Sequence, residues 1–205
     1  MNNPSITGAA IILAAGDSAR MGKPKALLDW HGRPLLEHVL DVAKQGGCTK
    51  LFVVLGKHDD AIRAGANLEG VNVLLNTEPE RGQVSSIQLG MQSLDFSTDC
   101  CLVWPVDCPL IEPGDVRALI DTYAATRASL MRILMPVYKG ERGHPMLVDI
   151  GFRQPFMELQ QGQTARKVIE DNHTQVREVA TDNPGVLVDI DTPEEYEAAL
   201  KQWQG

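Results

Sequence analysis

The chain has 205 residues, a formal net charge of −8 and 43% hydrophobic residues. At roughly 150 residues per domain, this length favours one domain, residues 1–205, that is long enough to bury its own core. The acidic balance argues against sequence-independent nucleic-acid binding, which needs a basic surface. No apolar run approaches the roughly 18 residues of a membrane span, and the short stretch Ala9–Ala15 does not fit a secretory signal.

Short apolar runs alternate with segments of helical periodicity along the chain. The runs predict strands at Gly8–Ala15, Leu51–Leu55, Val71–Leu75, Cys100–Val106, Ile133–Val137 and Met146–Ile150. The periodic segments predict helices at Arg33–Gln45, His58–Ala64, Gln83–Leu94 and Pro113–Tyr123. A last helix begins after Thr192, because T-P-E-E makes a capping box with proline at the first helical position. This order predicts a three-layer α/β/α fold with a mainly parallel sheet.

Four cysteines are present, and none of them forms a C-x-x-C pair. They are Cys48, Cys100, Cys101 and Cys108, of which the second and third lie inside an apolar run. This pattern predicts buried free thiols in a reducing cytoplasm rather than a zinc site.

The segment after the first predicted strand, Leu13–Lys25, combines small residues with three cations. In open α/β sheets, ligands bind beyond the carboxyl ends of the strands, which is where this loop is expected. Small residues let backbone N–H groups approach an anion, and Arg20, Lys23 and Lys25 can neutralise phosphates. The glycine spacing is neither that of a Walker A loop nor G-x-G-x-x-G. Composition alone therefore leaves an ordinary solvated loop open.

The pattern L-A-A-G-x-S-x-R-M-G-x-P-K at residues 13–25 resembles the signature loop of nucleotidyltransferases with the GT-A-like fold. The most similar families are the molybdenum cofactor cytidylyltransferases and guanylyltransferases. The resemblance implies a nucleotide-diphospho-sugar transferase-like, Rossmann-type fold and a loop that wraps a nucleoside triphosphate. Its nucleotide-binding residues would be Leu13, Ala14, Ala15, Gly16, Arg20 and Lys25. Of these, Arg20 and Lys25 would contact phosphates and are predicted to be catalytic, whereas Lys23 is interpreted as a solvated charge.

A carboxylate, Asp107, directly follows the apolar run Cys100–Val106. It is therefore expected at the carboxyl edge of the sheet, beside the loop Leu13–Lys25. Mg²⁺ in phosphoryl-transfer sites is usually held by one or two carboxylates together with substrate phosphates, so Asp107 is a candidate metal ligand and catalytic residue. The P-x-D-x-P-L pattern of the resembling family supports this role. From the residues alone, Asp107 could instead cap the turn at Pro109.

Two more carboxylates, Asp189 and Asp191, lie in Val186–Pro193, which we predict to be a strand ending at a helix start. Residues i and i+2 of a strand share a face, so both side chains could point at one site. The stretch D-I-D-T-P-E-E-Y resembles the closing motif of the family. It implies that Asp191 completes a site for Mg²⁺, with Mn²⁺ as the alternative ion. Asp191 could instead support the N-terminus of the adjacent helix.

Three further segments bear on the substrates. The stretch N-x(5)-G-x(2)-S-S resembles one that approaches the base and ribose, which assigns nucleotide binding to Asn76, Gly82 and Ser86. The G-H-P turn around His144 resembles one on the acceptor side of relatives, although a histidine in a turn could be structural. The segment Leu159–Arg166 departs from the L-x-G-D-x-G-A-R of many relatives, because the Gly-Asp pair and the later glycine are missing. That departure leaves the acceptor open.

The resemblance implies transfer of a nucleotide from a nucleoside triphosphate to a phosphate-bearing acceptor, with molybdopterin as the favoured acceptor. It further implies that a molybdoenzyme or its chaperone is a protein partner. Neither nucleic acid nor a membrane is expected as a partner of this protein. Guanylyl-type relatives usually carry L-A-G-G in the loop, so the methyl group of Ala15 favours CTP over GTP. The alternatives are a sugar- or alditol-phosphate nucleotidyltransferase, and a non-catalytic nucleotide-binding or cofactor-chaperone module.

Overall fold

The strand β1 (Gly8–Ala14) lies in the middle of the protein, and all seven of its residues are buried. This computed structural model describes residues 6–203. Small and β-branched apolar side chains suit such a strand, because it is covered by helices on both faces.

The other strands and the helices follow the alternation expected of an α/β chain. In chain order, the strands are β2 (Asp29–Trp30), β3 (Arg33–Pro34), β4 (Lys50–Leu55), β5 (Asn72–Leu75), β6 (Cys100–Pro105), β7 (Ile133–Tyr138), β8 (Glu141–Arg142), β9 (Met146–Asp149) and β10 (Val176–Ala180). The α-helices are α1 (Leu35–Gln45), α2 (Asp59–Gly65), α3 (Gln83–Gln92), α4 (Pro113–Thr126), α5 (Gln154–Met157), α6 (Ala165–Asp171) and α7 (Pro193–Gln202).

The main sheet has the strand order β10-β7-β9-β6-β1-β4-β5, with β8 paired to β7. Parallel pairing joins β1 to β4 and β6, β4 to β5, and β7 to β10. The strand β9 runs antiparallel to both of its neighbours, and β8 runs antiparallel to β7. The sheet is therefore mixed and mostly parallel, and β1, β4 and β6 deliver the loops that follow them to one edge.

Alternate residues of β1 enter two separate apolar cores. Ala10 and Ile12 pack with residues of α1 and α4 on one face of the sheet. Ile11 and Leu13 pack with residues of α3, α5 and α6 on the other face. The predicted α/β/α layering is thus confirmed, with a sheet between two layers of helices.

The predicted strand in Val186–Pro193 is wrong. A 3₁₀ helix, Pro184–Leu187, occupies its start, and the residues that follow pair with no strand among those described. The segment finds its backbone partner in a loop instead, because the Ile190 N–H donates to the Asp107 carbonyl at 2.9 Å. Apolar residues are needed there to cover the loop after β6, which explains why the run looks like a buried strand.

The strand β10 and the short helices α5 and α6 were not predicted. The sequence of β10 is V-R-E-V-A, and its Arg177 and Glu178 are exposed because the strand lies at the edge of the sheet. An edge strand of this kind has no continuous apolar run from which it could be identified.

The cysteine prediction is confirmed, since all four thiols are free and buried. Burial raises the pKa of Cys48 and of Cys101 to about 12, so both stay protonated at neutral pH. None of the helices in residues 6–203 combines the length and the apolar character that crossing a bilayer requires.

Candidate active site

A cavity of about 420 Å³, called here the loop-lined cavity, opens at the sheet edge where β1 and β6 end. All predicted nucleotide, catalytic and metal residues except Asn76 line it, and His144 lies outside it. The lining is formed by Leu13, Ala14, Ala15, Gly16, Ser18, Ala19, Arg20, Pro24, Lys25, Ala26, Pro79, Gly82, Gln83, Ser86, Pro105, Val106, Asp107 and Asp191. The structure therefore brings together segments that are widely separated in the sequence.

The loop after β1 folds back so that Arg20 and Lys25 face the cavity. Ser18 and Gly22 both adopt left-handed backbone conformations, with φ of 51° and 67°. The Ser18 Oγ accepts a hydrogen bond from the Lys25 N–H at 3.0 Å, which closes the loop. The glycine at position 22 meets the left-handed geometry without steric cost.

The loop also rests closely on Gly56, which directly follows β4. A Cβ on Gly56 would lie 2.7 Å from the Ala15 carbonyl oxygen and 3.1 Å from the Ala15 Cβ. Real side chains do not tolerate the first of these distances, so only glycine permits this approach. The position of Ala15 is therefore set by backbone packing from the neighbouring strand.

Lys25 lies between the two carboxylates that were predicted as metal ligands. Its Nζ donates to Asp107 Oδ2 at 2.8 Å and to Asp191 Oδ1 at 2.7 Å. Arg20 completes the cluster, with its Nη2 at 2.9 Å from Asp191 Oδ2. The side chain of Lys25 is 14% exposed, against 25% for Asp107 and 35% for Asp191. Two cations and two anions thus meet at the cavity wall, where Lys25 is the most buried and Arg20 the most exposed of the four.

These contacts favour the charged forms of Lys25 and Asp191. Burial by itself would lower the pKa of Lys25, but the hydrogen bonds to Asp107 and Asp191 outweigh it and raise that pKa. The hydrogen bond from Lys25 lowers the pKa of Asp191, with Arg20 adding to the effect. Lys25 and Asp191 are therefore both charged at neutral pH.

The carboxylate of Asp191 is not used to cap the helix that follows it. In the capping box of α7, Thr192 Oγ1 accepts from the Glu195 N–H at 3.2 Å, and Glu195 Oε2 accepts from the Thr192 N–H at 2.8 Å. Glu195 Oε2 also accepts from the Asp191 N–H at 2.7 Å. This leaves the Asp191 side chain free to face Lys25 and Arg20. Asp107 likewise accepts from Lys25 through Oδ2, while its Oδ1 lies 3.9 Å from Cys108 Sγ in its own turn.

The two carboxylates suit a divalent cation, because they already converge on one positive centre, the Lys25 ammonium group. Hard cations such as Mg²⁺ prefer carboxylate oxygens and complete their coordination with water and substrate phosphates. Within residues 6–203, no three His, Cys, Asp or Glu side chains form a metal-binding group. A metal here would therefore take its remaining ligands from water and, once a nucleotide is bound, from its phosphates.

Asn76 is buried beneath the cavity rather than in its lining. Its Nδ2 donates to Ser85 Oγ at 2.8 Å and to Ser86 Oγ at 2.9 Å, and its Oδ1 accepts from the Glu78 N–H at 2.9 Å. These bonds tie the loop after β5 to the start of α3. Asn76 thereby orients Ser86, which does line the cavity, and its own contact with a nucleotide stays a prediction.

His144 lies in a second cavity, of about 440 Å³, that shares Gln83 and Pro105 with the first. Burial lowers the pKa of His144, and its Nδ1 has no hydrogen-bond partner within residues 6–203. The altered segment Leu159–Arg166 supplies part of the wall through Thr164, Ala165 and Arg166. The structure thus places His144 and the segment Leu159–Arg166 together, next to the loop-lined cavity.

Several lining residues were missed by the sequence reasoning, chiefly Pro79 and Gln83. Both lie inside the N-x(5)-G-x(2)-S-S stretch, at positions that the pattern leaves variable. The ion pair between Arg20 and Asp191 was also missed, because residues so far apart give no local signal.

Comparison with known proteins assigns the chain to a family. Residues 10–178 match the family described as the MobA-like NTP transferase domain. The chain belongs to this family. It is accordingly an enzyme of the nucleotidyltransferase class, and the predicted resemblance is confirmed.

Relatives of this MobA-like NTP transferase include nicotine blue oxidoreductase of Paenarthrobacter nicotinovorans, 32% identical over 174 residues that cover 80% of this chain and 81% of the relative. The crystal structure of Rv0371c from Mycobacterium tuberculosis H37Rv has a TM-score of 0.84 at 27% identity, covering 96% of this chain and 99% of that one. A complex of Rv0371c with manganese has a TM-score of 0.82 at 26% identity, covering 96% and 100%. A nucleotidyl transferase from Methanothermobacter thermautotroptrophicus, with a TM-score of 0.79 at 18% identity over 96% and 97%, shows the shared fold alone.

Proposed function

We propose that this MobA-like NTP transferase moves the nucleoside monophosphate part of a nucleoside triphosphate onto a phosphate-bearing acceptor and releases pyrophosphate. The observation that carries the proposal is the cluster of Lys25, Asp107 and Asp191 at one wall of the loop-lined cavity. Lys25 and the neighbouring Arg20 match the phosphates of the nucleotide, and the two carboxylates match the metal that accompanies them.

In the proposed step, an ionised phosphate oxygen of the acceptor attacks the α-phosphorus and forms the new P–O bond. The bond from the α-phosphorus to the bridging oxygen breaks, and its electron pair leaves with pyrophosphate. Arg20 and Lys25 neutralise the charge that builds on the phosphates, and Leu13–Gly16 approaches the triphosphate through its backbone. No covalent intermediate is needed, so catalysis consists of positioning and electrostatic stabilisation.

Asp107 and Asp191 would hold the metal, for which we favour Mg²⁺ over Mn²⁺. When bound, the ion supplies positive charge to the phosphates during transfer. The manganese complex of Rv0371c supports a divalent cation in this fold. The convergence of the two carboxylates on a single ammonium group supports the same position in this chain.

For the acceptor, we favour molybdopterin, bound on the side of His144 in the second cavity. The shared wall of Gln83 and Pro105 supports this placement, because it puts an acceptor next to the nucleotide. Gly82 and Ser86 would face the nucleotide itself. Asn76 would hold Ser86 in place through the hydrogen bond from its Nδ2 to Ser86 Oγ. We place the reaction in the cytoplasm, where a molybdoenzyme or its chaperone would receive the product.

Base choice is assigned to Ala15, whose methyl group narrows the loop beside Gly56. We expect the wild-type protein to prefer CTP to GTP in apparent affinity as well as in rate, because the pocket acts on ground state and transition state alike. The Ala15→Gly variant should raise GTP use relative to CTP and leave the phosphate contacts unchanged. Titrations of both nucleotides against both proteins measure this ratio. A wild-type preference for GTP, or an unchanged ratio, would place base choice elsewhere, around Asn76–Ser86.

Pyrophosphate release from each of the four nucleoside triphosphates, with and without molybdopterin, tests the function as a whole. We expect release with CTP only when molybdopterin and a divalent metal are both present. Release that requires a sugar phosphate or an alditol phosphate would favour the alternative transferase. Nucleotide binding without release would identify a non-catalytic module. Oxidoreductase activity on nicotine blue, the activity in the name of the Paenarthrobacter relative, would contradict the proposal.

A further inference from the structure

The loop after β6, which carries Asp107, is held at four successive carbonyl groups. Each carbonyl oxygen accepts a hydrogen bond from a different part of the fold. The donors to residues 107, 108, 109 and 110 are the Ile190 N–H, Trp104 Nε1, His38 Nε2 and Asn183 Nδ2, at 2.9, 3.0, 2.8 and 2.8 Å. A loop of this kind keeps little freedom, so these four donors set where the Asp107 carboxylate lies.

His38 is the donor whose chemistry is most restricted. A carbonyl oxygen only accepts hydrogen bonds, so His38 Nε2 must carry the hydrogen that goes to Pro109. A guanidinium only donates, so His38 Nδ1 must be bare where Arg33 Nη2 approaches it at 3.2 Å. Both partners therefore select the same neutral tautomer. Burial lowers the pKa of His38 to about 4, which keeps this neutral form at neutral pH.

The packing around His38 explains why it is held so firmly. The side chain is 1% exposed and lies on α1, stacked on Trp30 with ring centroids 5.4 Å apart. Trp203, which directly follows α7, packs edge-on against it at 4.7 Å. The helix α7 begins just after Asp191. His38 thus touches both the loop that bears Asp107 and the end of the helix that follows the second carboxylate.

We propose that His38 is a positioning residue for the transfer reaction, which fixes Asp107 through its hydrogen bond to the Pro109 carbonyl. This inference rests on the proposed role of Asp107 as a metal ligand. His38 itself does not line the loop-lined cavity, so it acts only through the loop. A purely structural histidine would stabilise the fold without changing the geometry of Asp107.

Two amide substitutions separate these roles. In His38→Gln, the longer amide can still reach the Pro109 carbonyl, whereas in His38→Asn the shorter amide can meet only Arg33. Both variants lose the ring that packs on Trp30 and Trp203, so both should lose thermal stability to a similar extent. The His38→Asn variant is therefore the test and the His38→Gln variant is its matched control.

Three measurements decide the outcome: the amide chemical shifts of Asp107, Cys108 and Leu110, the affinity for Mn²⁺ alone, and the split between kcat and the KM for CTP. We expect His38→Asn to change the amide chemical shifts of the loop. The same variant should weaken Mn²⁺ binding about tenfold and lower kcat about tenfold, with little change in the KM for CTP. The His38→Gln variant should restore all three readouts to near the wild-type values.

Equal behaviour of the two variants in the loop shifts and in kcat would overturn the proposal. A wild-type protein that fails to bind Mn²⁺ would instead overturn the metal role of Asp107, and the loop shifts would still decide the role of His38. Should His38→Asn fail to fold, the His38→Gln variant remains informative. Displaced loop shifts and a lowered kcat in a folded His38→Gln protein would contradict a role carried by the hydrogen bond.

Discussion

The Asp107→Asn variant should keep its fold and lose nearly all turnover. Asparagine preserves the shape of the side chain but removes the charge that faces Lys25 at 2.8 Å and that would hold the metal. We expect kcat to fall on the order of 10²–10³-fold, the size of effect seen when one electrostatic group of a transition state is removed. Steady-state pyrophosphate release measures the loss, and circular dichroism checks the fold.

A matched carboxylate-to-amide change at an exposed helical position, Asp121→Asn, serves as the control and should leave kcat unchanged. The metal assignment also requires that Asp107→Asn weaken Mn²⁺ binding. Activity near the wild-type level in Asp107→Asn would sink the assignment of this residue to the metal.

The Lys25→Ala variant should lose about 2–4 kcal/mol of transition-state stabilisation, by analogy with the loss of one donor to a developing anion. The Lys25 side chain is only 14% exposed and lines the cavity in which the triphosphate would lie. In the same variant, the affinity for Mn²⁺ without nucleotide should rise, because the cation that competes for Asp107 and Asp191 has been removed. Kinetics with CTP and direct Mn²⁺ titration give the two readouts.

Lys23→Ala provides the comparison, because Lys23 is exposed and belongs to the same loop. It should change neither kcat nor Mn²⁺ affinity. A Lys25→Ala protein with a lower melting temperature but unchanged kinetics would show that Lys25 only balances charge in the fold.

The fold and the loop-lined cavity could largely be predicted because their signals are local. The strand β1, its following loop and the position of Asp107 all lie in short continuous stretches, where apolar runs and small residues have a direct structural meaning. The capping box of α7 was predictable for the same reason, since its hydrogen bonds join residues three apart.

What could not be predicted depends on contacts between distant residues. The prediction of a strand in Val186–Pro193 is wrong because the Ile190 N–H donates its hydrogen bond to the Asp107 carbonyl and not to a neighbouring strand. The residue pattern within the segment cannot indicate such a distant partner. The placement of Asn76 under Ser86 rather than in the cavity is likewise a matter of tertiary packing. The contact of Lys25 with both carboxylates follows from the meeting of three segments.

Lys25 is separated from Asp107 by 82 residues and from Asp191 by 166, so the cluster closes very long loops of chain. Closing loops of this length has an entropic cost, which contacts elsewhere in the fold must offset. The cluster is complete only when the segment that carries Asp191, just before α7, docks on the loop after β1. A ligand that bridges Lys25 and Asp191 binds the native state alone, and mass action then stabilises the whole chain rather than one loop. Protection from unfolding by nucleotide would therefore report that the segment from Asp191 into α7 has docked on the rest of the fold.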